Sequence, residues 1–438
     1  MIMIFGVIPV NSFGAETVAS GYCGAEGDGT NLSWTLDSDG VLTISGTGKM
    51  KDYDEEYVDD DWISTAPWWD YLDSFKTLVL EEGITYIGDC AFYDCYCFTG
   101  NLIIPNSVTE IGSSVFSGCK RLTGQLIIPD SVITIGSYAF VNCDGFTGSL
   151  VIGNGVTTIG NSAFLDCDGF TGSLVIPDSV TTIGDGAFYG CDGFNGNLVI
   201  PDSVTTIGND AFYSCESFTG SLVIPDSVTT IGYSAFSYCY GFTGDLIIPD
   251  SVTTIGSSAF SSCGGFDGNL VIGTGVSVIN ERTFDGCSNL KDKVVLHDKI
   301  TKIGNNAFRN CGVDKFYFEG SAPSVKIATS TNFSFNVEKD VIYYPIDNTT
   351  WEIIDGKWNG YNAKAYDPNA KFLLGDCNGD GVINARDSQR LYEHIVGKDP
   401  IVNVSAEYKA ADVNGDGIIN ARDSQRLYEH IVGKDPLD

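Results

Sequence analysis

Ten cysteines recur at a constant interval of 24 residues, at positions 95, 119, 143, 167, 191, 215, 239, 263, 287 and 311. Around them runs a unit reading L-V-I-P-D-S-V-T-T-I-G-x-x-A-F-x-x-C-x-G-F-T-G-x. Residues 222–245 match it throughout, and 174–197 match it with Asn195 in place of the last threonine. A fixed period of this length is the mark of a solenoid, in which each unit contacts only its neighbours. Each unit holds two extended runs, such as 174–176 and 180–183, parted by a turn at Pro177 and Asp178. One unit alone cannot bury its Leu, Ile, Val and Phe side chains, but a stack buries them continuously. At the ~4.8 Å spacing of paired strands, ten units make a slab on the order of 50 Å long.

The cysteine column invites a redox or a metal reading, and geometry argues against both. In-register rungs set Cβ atoms about 4.8 Å apart, beyond the ~3.5–4.5 Å that a disulfide accepts. There is no C-x-x-C pair, and no histidine near the column completes a zinc set. The column therefore reads as a buried ladder of small hydrophobes. Cys23, Cys90, Cys97 and Cys377 lie off it, and a Cys90–Cys97 bridge stays open.

With its I-G-x-x-A-F-x-x-C core, the stretch from about residue 20 to 367 resembles leucine-rich repeats of the BspA-like surface-antigen kind. The resemblance implies a mainly β leucine-rich-repeat solenoid with a cap at each end. The expected layout is an N-terminal cap over 21–77, ten repeats over 78–317 and a C-terminal cap over 318–367. All six tryptophans (Trp34, Trp62, Trp68, Trp69, Trp351, Trp358) fall in the flanks. There they can seal the ends of the apolar stack or, if exposed, grip sugar rings.

Beyond a short joint at 368–375, two loops 36 residues apart read DCNGDGVINARD (376–387) and DVNGDGIINARD (412–423). Each offers oxygen ligands at loop positions 1, 3, 5, 7, 9 and 12, with glycine at 6 for the tight turn, which is the pattern of a calcium loop. The ligands would be Asp376, Asn378, Asp380, the Val382 carbonyl, Asn384 and Asp387, then Asp412, Asn414, Asp416, the Ile418 carbonyl, Asn420 and Asp423. Without an ion three carboxylates would crowd each loop, so metal binding and folding should be coupled. After each loop comes S-Q-R-L-Y-E-H-I-V-G, in which Leu391 and Ile395 give one apolar helix face closed by Gly397.

Aspartate at position 12, where an EF-hand carries a bidentate glutamate, sets these loops apart. The duplicated loop-helix units resemble a type I dockerin, a small α-helical EF-hand-like module over 376–438. That resemblance implies two bound Ca2+ ions, a cohesin module of a scaffolding protein as partner and assembly into cellulosomes. The partner-reading positions matching the family's are Ala385, Arg386, Tyr392 and Glu393, repeated as Ala421, Arg422, Tyr428 and Glu429. Many dockerins carry Ser and Thr where this chain has Ala-Arg. Identical copies would let either one face the partner after a half-turn of the module.

A net charge of −33 argues against a nucleic-acid partner, whose phosphates need Lys and Arg. From residue 122 to 281 there is no Lys or Arg, against fifteen Asp or Glu. The turn column Asp130, Asp178, Asp202, Asp226 and Asp250 reads as caps for turn amides, with calcium binding along it as the second reading. Residues 1–20 look like the tail of a secretory signal lacking its basic start, too short an apolar run to span a bilayer. An extracellular protein follows, held at a surface or a cellulosome through the dockerin.

Histidine occurs at 297, 394 and 430, so no Ser-His-Asp or Cys-His set can be built in the array except around His297. No catalytic residue is assigned, and a glycoside hydrolase with an unrecognised carboxylate pair is the alternative. Recognition is the reading that remains, of a polysaccharide or of a protein. Tyr138, Tyr189, Tyr213, Tyr233, Tyr238 and Tyr240, at variable repeat positions, are its candidate contacts.

Overall fold

The computed structural model describes residues 15–58, 61–291, 293–325, 334–336 and 339–366, and in the C-terminal part 387, 389–391, 411, 413, 419 and 421–431. The chain divides into two compact units, 1–366 and 367–438.

In the first unit every 24-residue period makes one turn of a β-solenoid. The Thr-Ile pair of each rung is a two-residue strand, and these strands pair in parallel and in register: Thr134 with Thr158, Thr158 with Thr182, Thr182 with Thr206 and onward to Thr254. They form one nine-stranded sheet from Gly48–Lys49 to Thr254–Ile255. The expected extended run at 180–183 is thus shorter, Thr182–Ile183, because the Val180 amide instead bonds the Pro177 carbonyl and closes the turn. The Leu-Val-Ile run of each unit makes a second edge, paired locally, as Leu126–Ile128 with Leu150–Ile152. Along the third edge the A-F-x-x-C segment holds no strand, yet its amides also bond the next rung, Phe164 to Ala187 and Asp166 to Tyr189.

That third edge turns twice per rung through left-handed backbone: residues such as Ser162, Asp210 and Ser234 just before the alanine, and Asp166, Ser214 and Tyr238 just before the cysteine, all have positive φ. Asp and Asn at these positions tolerate this conformation better than most side chains do.

Two phenylalanine columns fill the interior. One runs Phe92, Phe116, Phe140, Phe164, Phe188, Phe212, Phe236, Phe260, Phe284, Phe308 and Phe335, with stacked ring centroids 5.3–5.9 Å apart. The other includes Phe146, Phe170, Phe194, Phe218, Phe242 and Phe266. Each such contact is worth about 0.5–1.5 kcal/mol beyond the area it buries.

Trp68, wholly buried, stacks on Phe92 at 5.4 Å and donates its indole N–H to the Ala91 carbonyl, so the first column starts on a tryptophan. At the other end Phe335 packs against Tyr361, and Phe318 against Trp351 and Trp358. Trp34, Trp68, Trp351 and Trp358 are all buried and Trp69 half-buried, so these rings pack inward and do not form an exposed sugar platform.

Among the described residues every cysteine is a free thiol. The Cys90–Cys97 bridge left open from the sequence is therefore absent: Cys90 is buried with its thiol on Glu55, while Cys97 is only partly covered. No helix among the described residues is long and apolar enough to cross a membrane.

In the second unit Ala421–Ile431 is an α-helix with Asp423 in its first turn, where a carboxylate suits the helix dipole. Leu427 on its inner face packs with Leu391, Ala411 and Val413 in a small core flanked by Ile419 and Ile431.

Candidate functional site

In the C-terminal unit, two equivalent pairs from the duplicated copies arrive in the same environment. Leu391 and Leu427, 36 residues apart, are both fully buried, and so are the position-12 carboxylates Asp387 and Asp423. A carboxylate this deep is costly unless it is compensated, and each of these two has a bonded or electrostatic partner; their oxygens are of the kind a hard ion also takes. The other ten ligands read from the sequence (Asp376, Asn378, Asp380, Val382, Asn384, Asp412, Asn414, Asp416, Ile418 and Asn420) lie outside the described residues. Of the partner-reading positions, Ala421, Arg422 and Glu429 lie on the helix, and Tyr428 stands 54% exposed beside the inward Leu427. Ala385, Arg386, Tyr392 and Glu393 lie outside the described residues.

In the array the chemistry-bearing side chains are mostly spoken for. From Cys119 to Cys287 each ladder thiol donates to the carbonyl of the phenylalanine 27 residues earlier, at 2.9–3.2 Å. Burial holds these thiols above the usual range, far from nucleophilic thiolates. His297 is buried, its Nδ1 accepting the Lys299 amide and its Nε2 facing the Gly273 carbonyl at 3.1 Å, so it holds a turn. Of the turn aspartates, Asp130 and Asp250 act across rungs: Asp130 accepts the Asn154 amide and Asp250 the Thr274 amide, each at 2.7 Å.

The tyrosines gather on the third edge. Tyr189 and Tyr213 stack face to face, centroids 4.7 Å apart; Tyr213 meets Tyr238 edge-on at 5.3 Å, and Tyr238 meets Tyr240 at 6.0 Å. On the Tyr189 side lies an open cavity of about 660 Å³ lined by Tyr138, Leu165, Gly186, Tyr189, Tyr233 and polar residues. On the Tyr213 side a second, of about 300 Å³, is lined by Tyr213, Tyr233, Tyr238, several serines and the Arg309–Asp285 ion pair, whose guanidinium Nε donates to the carboxylate at 3.0 Å.

Sequence reasoning found the tyrosines but missed their polar companions Asn161, Asp185 and Asn209, and Gly186. The signal was present: all of these occupy the x positions of I-G-x-x-A-F-x-x-C, the part of the rung that interior packing leaves free.

The family models agree with this architecture. The model of the BspA type leucine rich repeat region matches residues 69–195, 157–266 and 205–336, more than half of the chain, and that of the dockerin type I domain matches 374–432. Among solved structures, a leucine-rich repeat protein from Bacteroides ovatus is 22% identical, covering 77% of this chain and 98% of its own, with a TM-score of 0.49. A leucine rich cell surface protein from Faecalibacterium prausnitzii is 24% identical, covering 74% of this chain and 96% of its own, with a TM-score of 0.37. A leucine-rich repeat protein from Eubacterium ventriosum is 20% identical over 82% and 99%, with a TM-score of 0.34. No curated protein matches. With its repeats covered by one family model and its C-terminus by the other, the chain belongs to the BspA-type leucine-rich repeat family and carries a type I dockerin domain.

Proposed function

We propose that this is a secreted, non-catalytic recognition protein whose dockerin fastens it to a cohesin-bearing scaffold while its array holds a polysaccharide or protein ligand. The observation that carries the reading is the duplicated loop-helix pattern, matched by the type I dockerin model over 374–432. Asp376, Asn378, Asp380, the Val382 carbonyl, Asn384 and Asp387 would hold one calcium ion, and the set from Asp412 to Asp423 the other. Calcium, when bound, would neutralise the loop carboxylates, and the loop-helix units would offer Ala385, Arg386, Tyr392 and Glu393, or their copies, to the cohesin. In the array His297 is engaged by backbone and Asp285 by Arg309, so neither is assigned a catalytic role.

Calorimetric titration of the full chain with a panel of cohesins, with calcium and with chelator, tests this. Tight binding that the chelator abolishes is expected; binding to no cohesin would overturn the attachment role. If the two copies are interchangeable, changing Ala421, Arg422 and Tyr428 together should leave affinity within a few-fold. Changing Ala385, Arg386 and Tyr392 as well should abolish it.

A further inference from the structure

We infer that the groove along the third edge of the solenoid, between Tyr138 and the Tyr189–Tyr213 stack, binds a chain of neutral sugars. The inference rests on the reading of the array as the ligand-holding part and specifies its ligand class and site.

One ring of the Tyr189–Tyr213 stack lines each of the two cavities, so the stack stands between them as a rigid partition, and Tyr233 lines both. An aromatic ring fixed against a second ring offers its other face without losing side-chain freedom, which suits the apolar face of a pyranose. Around that face the polar groups are already ordered. The Asn161 amide oxygen accepts the Asp185 N–H at 3.0 Å, the Asp185 carboxylate accepts the Asn209 N–H at 2.7 Å, and the Asn209 amide oxygen accepts the Tyr233 N–H at 2.8 Å. This staircase spans four rungs and lines the cavity with amides and a carboxylate, the groups that pair with hydroxyls.

Gly186 sets the depth. It occupies the left-handed position filled in neighbouring rungs by Ser162, Asp210, Ser234 and Ser258, and its missing side chain lowers the cavity floor beside Tyr189. A Cβ there would lie 3.1 Å from the Ser162 hydroxyl oxygen. Charge narrows the ligand at the first cavity, where Asp185 and Asp210 line the wall with no cation beside them and an anionic group is repelled; the second cavity carries Arg282 and Arg309 beside Asp285. Two cavities in series along the stacking axis suit an extended polymer better than a compact small molecule.

The test is affinity electrophoresis and calorimetry of the full chain against soluble mixed-linkage β-glucan, xyloglucan, galactomannan and arabinoxylan. A lysine-rich peptide at low and high salt runs in parallel. Binding of at least one neutral polysaccharide, insensitive to salt, is expected. Tyr189→Ala and Gly186→Ser should each weaken it by about tenfold or more, while Tyr189→Phe should keep it. Gly186→Ser copies a residue that neighbouring rungs carry at the same φ, so it retains the fold if Tyr189→Ala does not. Glycan binding unchanged by both variants would overturn this groove and leave the array's recognition role standing. Salt-sensitive binding of the peptide alone would overturn the sugar assignment in favour of a basic protein ligand. Binding of nothing in the panel, with cohesin binding intact, would overturn both the groove and the array's role.

Discussion

Cys191 shows what a single repeated residue contributes. Its thiol donates to the Phe164 carbonyl at 2.9 Å inside a column without solvent access, so it fills a small apolar space and ties one rung to the next. Replacing it by alanine removes both, and an array less stable by about 1–3 kcal/mol in chemical unfolding is expected. Desolvation holds the ladder thiols protonated in a column closed to solvent, whereas Cys97 is only partly covered. In peptide-mapped alkylation of the native chain Cys97 should therefore label well before any cysteine of the ladder. The 24-residue spacing made the column and its unbridged state legible. It did not disclose the thiol hydrogen bonds, because a purely apolar side chain would satisfy the same spacing. Cys90 and Cys97 were harder to read, since they lie off the period that fixes the others.

Among the elements, the glycine that closes each Thr-Ile strand is constrained by its neighbour, not by its dihedrals. A Cβ on Gly232 would sit 2.5 Å from both the Asn209 nitrogen and the Gly208 carbonyl carbon, backbone atoms that cannot swing aside. Gly232→Ala should cost about 1–3 kcal/mol, as overpacking does, and lower the thermal midpoint of the array without altering the second unit. The segment after the repeats holds a different strain. Asp340 is buried with one carboxylate oxygen accepting the Asn336 amide and the other unpartnered, and desolvation raises its pKa to about 7. A carboxyl whose folded pKa is raised contributes stability fully present below its ordinary value near 4 and lost as pH climbs through 7. Melting of the repeat unit from pH 5 to 8 should thus show a decline that Asp340→Asn flattens. Strand existence was readable from the periodic Val, Thr and Ile. Strand length was not, because the Val180 amide is taken by its own turn, and Asp340 carries no sequence signal of burial.

At the scale of the whole molecule, two compact units of different chemistry share one acidic chain, and calcium should address only one of them. Two calorimetric transitions are expected, with chelator lowering that of 367–438 and leaving that of 1–366 in place. A shift of the array as well would reinstate the turn aspartates as ion ligands. The architecture of the array was legible almost entirely, since a period repeated ten times outweighs any local ambiguity. The groove was legible only in part: tyrosines advertise themselves, whereas Gly186 matters for what it lacks. The in-register stack also has a mechanical consequence. Each rung is bonded only to its two neighbours, so a pull between the ends of the array loads the rungs in series and peels them singly. A rung about 4.8 Å thick releases 24 residues, on the order of 80 Å of slack. Held between a scaffold and a ligand, the array would act as an extensible tether that yields by one rung at a time under tension.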